Sequence, residues 1–284
     1  MIRISDEVRE AEAVVALETT IVAHGFPQGE GLSVGLESER RVRAAGAVPA
    51  TIGVLDGEIR VGLAESELER FDASARKAGP RELGVCVARS EVGATTVGGT
   101  LAVCRAAGIS FMGTGGIGGV HRGTRFDISA DLLELSRSQV VVVSSGVKSL
   151  LDVEATAEML ETLGVPVLGW QTDTMPRFYD AAGGPAVTER IETAEEAVNL
   201  ARLHWELGGC GVLVARPPAT SIDVDDLIDE ALEEAERQGI RGQAVTPFVL
   251  SRLHEQSDGR TLEVNKELAA ANAALAGELA VGAA

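Results

Sequence analysis

Aromatic side chains make up only 3% of this 284-residue sequence, and it holds three cysteines. Its 25 Lys and Arg are outnumbered by 43 Asp and Glu, for a formal net charge of -18. Such a balance leaves no broad cationic face, which argues against a nucleic-acid polymer or an anionic membrane as partner. Cys86, Cys104 and Cys210 are scattered without metal-ligand spacing and read as small buried hydrophobes in a reducing compartment. No apolar run reaches membrane-spanning length, and the charged start "MIRISDEVREAE" lacks the apolar core of a signal peptide. The expectation is a cytoplasmic protein. A small anionic ligand stays admissible if a few basic side chains and backbone N–H groups meet its charge locally.

What is present is aliphatic. A hydrophobic share of 45%, mostly Val, Leu, Ile and Ala, can fill a sizeable core. "AVVALET" is a short apolar run ending at Glu18, and "LSVGLESERRVRAAG" has helical spacing with a stop at Gly46. "ATIGVLDGEIRVGL" alternates on both sides of Asp56-Gly57, a hairpin signal, so the sheet cannot be purely parallel. From Leu83 onward, apolar runs alternate with helical stretches. "LGVCVA", "ISFMG", "VVVVSS", "VPVLGW" and "CGVLVA" read as strands covered on both faces. The final third reads as helical, and its acidic run is a solvated helix face. The fold class expected is α/β: one domain over residues 1–284, a three-layer α/β/α sandwich with a mixed, largely parallel sheet and one β-hairpin.

The stretch "GTGGIGGVHRG", Gly113 to Gly123, contains G-x-G-x-x-G. A dinucleotide fingerprint needs a helix opening at the third glycine and an acid ending the next strand. Here Gly118 is followed by "GVHRGTRFDIS", and the next strand ends in serines. Two readings stay open. The glycines make a tight turn, or they let N–H groups approach an anion, with His121 and Arg122 supplying charge.

Strand ends of a parallel sheet gather ligand-binding loops at one edge. Glu18, the glycine stretch, Lys148 and Asp173 all fall at such ends. Lys148 follows "VVVVSSGV" and precedes "SLLD"; at a helix N-terminus its ammonium would be disfavoured, leaving an amine able to form a Schiff base. An ion-paired structural lysine is the alternative. In "DISAD", Asp127 and Asp131 flank Ser129; such oxygens suit Mg²⁺ or Mn²⁺, or else cap the helix beginning "LLELS". Glu18, buried after a strand, is a candidate acid, and His24 could orient its loop. His204 and His254 read as ordinary helix residues.

These segments, in this order, resemble the pseudouridine-5′-phosphate glycosidase family, which is related to the indigoidine synthase A-like proteins. "ALETTIVAHGFP", "GATTV", "GTGGIGGVHRG", "DISADLLEL", "SSGVKSLLD", "GVPVLGWQTD" and "TPFVLSRL" carry the resemblance across nearly the whole chain. It implies reversible cleavage of the C–C glycosidic bond of pseudouridine 5′-phosphate to uracil and ribose 5-phosphate. Lys148 would attack the sugar C1′, open the ring and form an imine, and Glu18 would protonate the departing pyrimidine. Asp127 would bind a divalent metal, Mn²⁺ or another such as Mg²⁺. Thr96 and Val97, with Ser129, Ala130 and Asp131, would contact substrate, and Thr114 and His121 would lie near the phosphate or ribose. Asn265 or Asn272 would match a pocket asparagine. The assembly implied is a homotrimer.

The family carries a lysine in a "KxSRRDL"-like stretch before "GATTV". The segment "GVCVARSEVGATTV" has none, so Arg89 is the candidate to supply that charge, with a larger, forked head group. The stretch from His121 to Asp127 is also slightly shorter than usual. Either departure leaves room for a related enzyme of another C- or N-nucleotide, or for a sugar-phosphate-binding protein of weak activity.

Overall fold

A computed structural model describes residues 2–27, 29–123, 127–241 and 244–284, without the side chains at 246 and 247. The chain opens with β1 (Ile2–Ile4), α1 (Asp6–Glu10), β2 (Val14–Glu18), α2 (Thr20–His24) and α3 (Glu30–Ala44). Next come β3 (Val48–Leu55) and β4 (Glu58–Val61), joined at Asp56 and Gly57 with φ of 52° and 77°. Two positive φ values give the hairpin turn that Asp-Gly signals. The chain continues through α4 (Glu65–Leu68), β5 (Arg76–Ala78), α5 (Pro80–Arg89), β6 (Gly93–Thr95) and α6 (Val97–Ala107). Then follow β7 (Phe111–Gly113), β8 (Val120–His121), α7 (Ala130–Leu135), β9 (Val141–Ser144), β10 (Leu151–Asp152) and α8 (Val153–Thr162). After β11 (Val167–Trp170), β12 (Glu189–Ile191), α9 (Ala194–Glu206) and β13 (Val212–Ala215), the chain ends in α10 (Asp225–Arg237), α11 (Val245–Gln256) and α12 (Arg260–Ala283).

The main sheet has the order β1-β4-β3-β2-β7-β9-β13-β11-β12, and seven neighbouring strands, β3 through β12, run parallel. β4 is antiparallel to β3, as the hairpin requires. The sheet is therefore mixed and largely parallel. Alternate residues of each strand enter different cores. Ala16, Met112, Val142 and Leu213 pack with Leu101 of α6, Leu132 of α7 and Leu160 of α8. Val15, Phe111, Val141 and Val212 pack with Val42 of α3, Ala201 of α9 and Ala276 of α12. Both faces of the sheet are covered, which is why its strands read as unbroken apolar runs. Among the described residues no helix is long and apolar enough to cross a membrane.

One expected strand is a helix. "LGVCVA" lies inside α5, where Leu83 and Cys86 are buried while Val85 and Ala88 are exposed, a three-residue spacing. Pro80 in its first turn starts the helix with a preset φ. A short apolar run does not distinguish helix from strand without such flanking signals.

The sheet forks where β2 stops. Glu18, its last residue, pairs with Ile52 of β3; beyond that point β3 pairs antiparallel with β6 instead, through Gly53 and Val54. β5 then adds to β6 in parallel. From β2 the chain moves first to β3 on one side and later to β7 on the other. A reversal of this kind opens a crevice at the carboxyl ends of the strands.

Candidate active site

A cleft of about 440 Å³ fills that fork, a volume in the usual range for small-molecule sites. Glu18 lies at its floor, 5% exposed. Thr114 Oγ1 donates to Glu18 Oε1 at 2.5 Å and Thr20 Oγ1 donates to Oε2, so both carboxyl oxygens are held. Behind it, the hydroxyls of Thr19 and Thr95 both donate to the Ile52 carbonyl, at 2.8 and 2.6 Å, and lock β2, β3 and β6 together. Burial pushes the Glu18 carboxyl above the ordinary glutamate range, while the charge of Lys148 and the two hydroxyls pull the other way. An upward shift of this origin suits a proton donor.

Asp131 joins two loops. Gly98 N–H donates to its Oδ1 at 2.7 Å and Gly118 N–H to its Oδ2 at 2.8 Å. Ser129 caps α7 by accepting from the Asp131 N–H at 3.2 Å, so the capping role falls to Ser129. This geometry also settles much of the glycine question. From Gly113 to Gly119 no glycine has a positive φ, so a left-handed turn is not the reason for them. A Cβ on Gly113 would come 2.8 Å from Ala273 Cα in α12, and one on Gly116 would come 2.6 Å from the Phe178 ring. On Gly118 it would overlap Ser129 and stand 2.8 Å from Asp131 Oδ2. The glycines chiefly let the loop pack against its own chain. Several N–H groups expected to face an anion are also taken: Thr114 N–H bonds Val143, Ile117 N–H bonds Gly146 and Gly118 N–H bonds Asp131. Among the described residues, Gly115 and Gly116 keep N–H groups without a protein acceptor.

Lys148 lines the cleft, half-buried, on the loop after β9. Ile117 N–H donates to the Gly146 carbonyl, and Lys148 N–H donates to that of Ile117. Gly146 has φ of 77°, and a Cβ there would overlap the Pro176 carbonyl, so this bend needs glycine. The helix expected to start at Lys148 does not: β10 intervenes and α8 begins at Val153. The helix-dipole argument therefore fails, and the position of Lys148 rests on the fork and the loop.

Arg89 is misplaced as a site residue. It lies exposed in the last turn of α5 and does not line the cleft. Lys77, on β5, does. The stretch "KAGPREL", Lys77 to Leu83, has the length of the "KxSRRDL" pattern and matches it at Lys77, Arg81 and Leu83, with Glu82 in place of its aspartate. A lysine is thus present, further upstream than the segment in which the sequence reading sought it. Burial, then the charge of Lys148, hold the Lys77 ammonium below the ordinary lysine range, with Asp131 and Glu18 opposing.

Thr96, Val97, Thr114, His121, Ser129, Ala130, Asp131 and Asn265 all line the cleft. Asn272 does not. It is fully buried beneath the site, where its Nδ2 donates to the carbonyls of Thr114 and Gly115 and to Ser145 Oγ, bracing two strand-end loops. Arg122 turns away, donating to the Ser149 and Leu151 carbonyls and to Asp229. Asp173 is exposed and paired with Arg190, outside the cleft. His24 lines the cleft with its Nε2 3.0 Å from the Ala75 carbonyl. Sequence reading missed the apolar wall of Phe26, Phe178 and Leu250.

Asp127 stands at the rim, its side chain 45% exposed and Oδ2 3.9 Å from His121 Nδ1. Part of the shortened stretch before it, 124–126, lies outside the described residues. Among the described residues no three His, Cys, Asp or Glu gather as a metal cage. One open carboxylate fits a Mg²⁺ or Mn²⁺ ion that keeps its waters and shares substrate phosphate oxygens.

The model of the indigoidine synthase A like protein family matches residues 3–282. The pseudouridine-5′-phosphate glycosidase of Geobacillus kaustophilus is 44% identical over 290 residues, covering 97% of this chain and 96% of the relative. This chain belongs to the indigoidine synthase A-like family. Within that family, a crystal structure of an indigoidine synthase A-like protein from Thermotoga maritima superposes with a TM-score of 0.90 at 40% identity, covering 99% of this chain and 96% of the other. The prealnumycin C-glycosynthase, solved with ribulose 5-phosphate, also gives a TM-score of 0.90, at 37% identity, covering 100% of this chain and 97% of the other. The fork, and the loops at its edge, thus belong to a shared α/β architecture.

Proposed function

We propose that this chain cleaves the C–C glycosidic bond of pseudouridine 5′-phosphate, reversibly, to uracil and ribose 5-phosphate. The observation that carries the proposal is the convergence of Lys148 and the buried Glu18 in one cleft. The names of the curated relatives support the substrate, and the ribulose 5-phosphate in a family structure supports a sugar phosphate in this fold.

Breaking a C–C bond requires somewhere for its electrons to go. In the proposed reaction the Lys148 amine bonds to C1′ as the C1′–O4′ bond breaks with its electron pair on O4′. O4′ takes up a proton and the nitrogen gives one up, so the ring is open and the nitrogen has its lone pair. The nitrogen lone pair then forms an imine as the C1′–pyrimidine bond breaks, and its electron pair leaves with the pyrimidine carbon. Glu18 supplies the proton that this carbon takes up. Water hydrolyses the imine, releasing ribose 5-phosphate and the free lysine. A divalent ion on Asp127 would neutralise phosphate charge when bound. His121 and the open N–H groups of Gly115 and Gly116 would complete the phosphate's contacts. The homotrimer implied by the resemblance belongs to the same proposal, with sedimentation as its check.

The direct test is uracil release from pseudouridine 5′-phosphate, with and without Mn²⁺. Release that Mn²⁺ accelerates supports the full reading. Turnover of another C-nucleotide with no uracil from this one would assign the cleft to a different substrate of the same chemistry.

A further inference from the structure

Three of the 25 Lys and Arg residues are lysines: Lys77, Lys148 and Lys266. Lys266 lies on α12, paired with Glu30 at 3.0 Å and Glu263 at 2.9 Å. The other two line the cleft, and among the described residues neither has a carboxylate oxygen within 4.0 Å. The reason lies in the acids around them. Both oxygens of Glu18 accept threonine hydroxyls, and both oxygens of Asp131 accept backbone N–H groups. Glu82, on α5, accepts from Arg81 at 2.8 Å. Asp127 stands at the rim beside His121, and His24 has its Nε2 on the Ala75 carbonyl. The oxygens of these acids are thus engaged elsewhere, and among the described residues none stands within 4.0 Å of Lys148 Nζ to take its proton. That leaves the Lys77 amine, which burial and the neighbouring Lys148 charge hold towards its neutral form.

We propose that Lys77 is the base that prepares the nucleophile: its neutral amine takes the proton that Lys148 Nζ must give up before bonding to the sugar C1′. The proposal rests on Lys148 being that nucleophile. The proton passes from the Lys148 ammonium to Lys77, and the N–C1′ bond forms as C1′–O4′ breaks. The ring oxygen leaves with the electron pair and takes the proton back from the Lys77 ammonium. Lys77, neutral again, then takes the surplus proton of the new secondary ammonium, which restores the nitrogen lone pair that imine formation uses. The charge of the cleft is unchanged, and no outside acid or base is needed.

A lysine that only clamps phosphate needs its charge, whereas a base needs its lone pair. Lys77→Arg keeps the cation and abolishes the base, since a guanidinium does not deprotonate. The expected result is a kcat lowered at least about 100-fold, with KM near the wild-type value. In Lys77→Ala, added methylamine should restore activity in step with its unprotonated form as the pH rises. Borohydride trapping with ribose 5-phosphate on the same wild-type protein shows whether Lys148 forms the adduct. Absence of that adduct overturns the reading beneath and the role of Lys77 together. An adduct on Lys148, combined with near-wild-type kcat in Lys77→Arg, overturns the role of Lys77 alone. Should Lys77→Arg not fold, rescue of Lys77→Ala that follows protonated methylamine does the same.

Discussion

Two hollows open near the carboxyl edge of the sheet, and the larger one is chemically the poorer. It measures about 610 Å³ and lies between the loop Arg216–Ile222, after β13, and the first turns of α12. Its charged groups are Arg216 and Arg260 against Asp258, Glu263 and Glu267, and it holds no buried carboxylate and no lysine. The cleft measures about 440 Å³, yet it draws side chains from β2, β5, α6, α7 and the loops after β7 and β9. Volume follows loop packing. Convergence of reactive groups follows topology, because strands end together only where the order reverses.

The largest expected effect on that contrast comes from Lys148→Ala, which should reduce uracil release to background. Glu18→Gln should cost about 10² to 10⁴ in kcat, the range of a lost general acid, while KM changes little. Gly118→Ala presses a methyl group onto Ser129 and Asp131. Overpacking of that kind costs about 1–3 kcal/mol, so thermal melting should fall together with activity. Thr114→Val acts more gently. The Thr114 hydroxyl favours the Glu18 carboxylate, so its loss raises the pKa further. An acid works while protonated, hence the alkaline limb of the kcat profile should move to higher pH; Thr220→Val in the larger hollow should leave it in place. The smallest effect belongs to Arg216→Ala, expected to leave kcat/KM at the wild-type value. A large loss there would break the contrast.

Much of the fold was legible because both faces of the sheet are covered, and covered strands such as "VVVVSS" announce themselves as apolar runs. "LGVCVA" misled for the same reason, since Pro80 and the exposure of Val85 decide for a helix. Of the site, Glu18, Lys148, Thr96 and the "DISAD" segment were readable as strand-end or loop residues that meet in the cleft. Lys77 was not, because β5 and β6 reach the site only where β3 outruns β2, a register that no local pattern encodes. The scarcity of lysine was the available signal: two of three converge. Asn265 and Asn272 are seven residues apart on α12, nearly two turns, so both point toward the same loops, and depth alone separates the lining residue from the brace.

The central claim is that Lys148 bonds to the sugar, and reduction with borohydride in the presence of ribose 5-phosphate tests it most directly. With three lysines in the chain, peptide mapping by mass spectrometry assigns the adduct without ambiguity. The expected result is one reduced ribose 5-phosphate on Lys148, absent from Lys148→Ala. Uracil release by a wild-type protein that yields no adduct on Lys148 would contradict it.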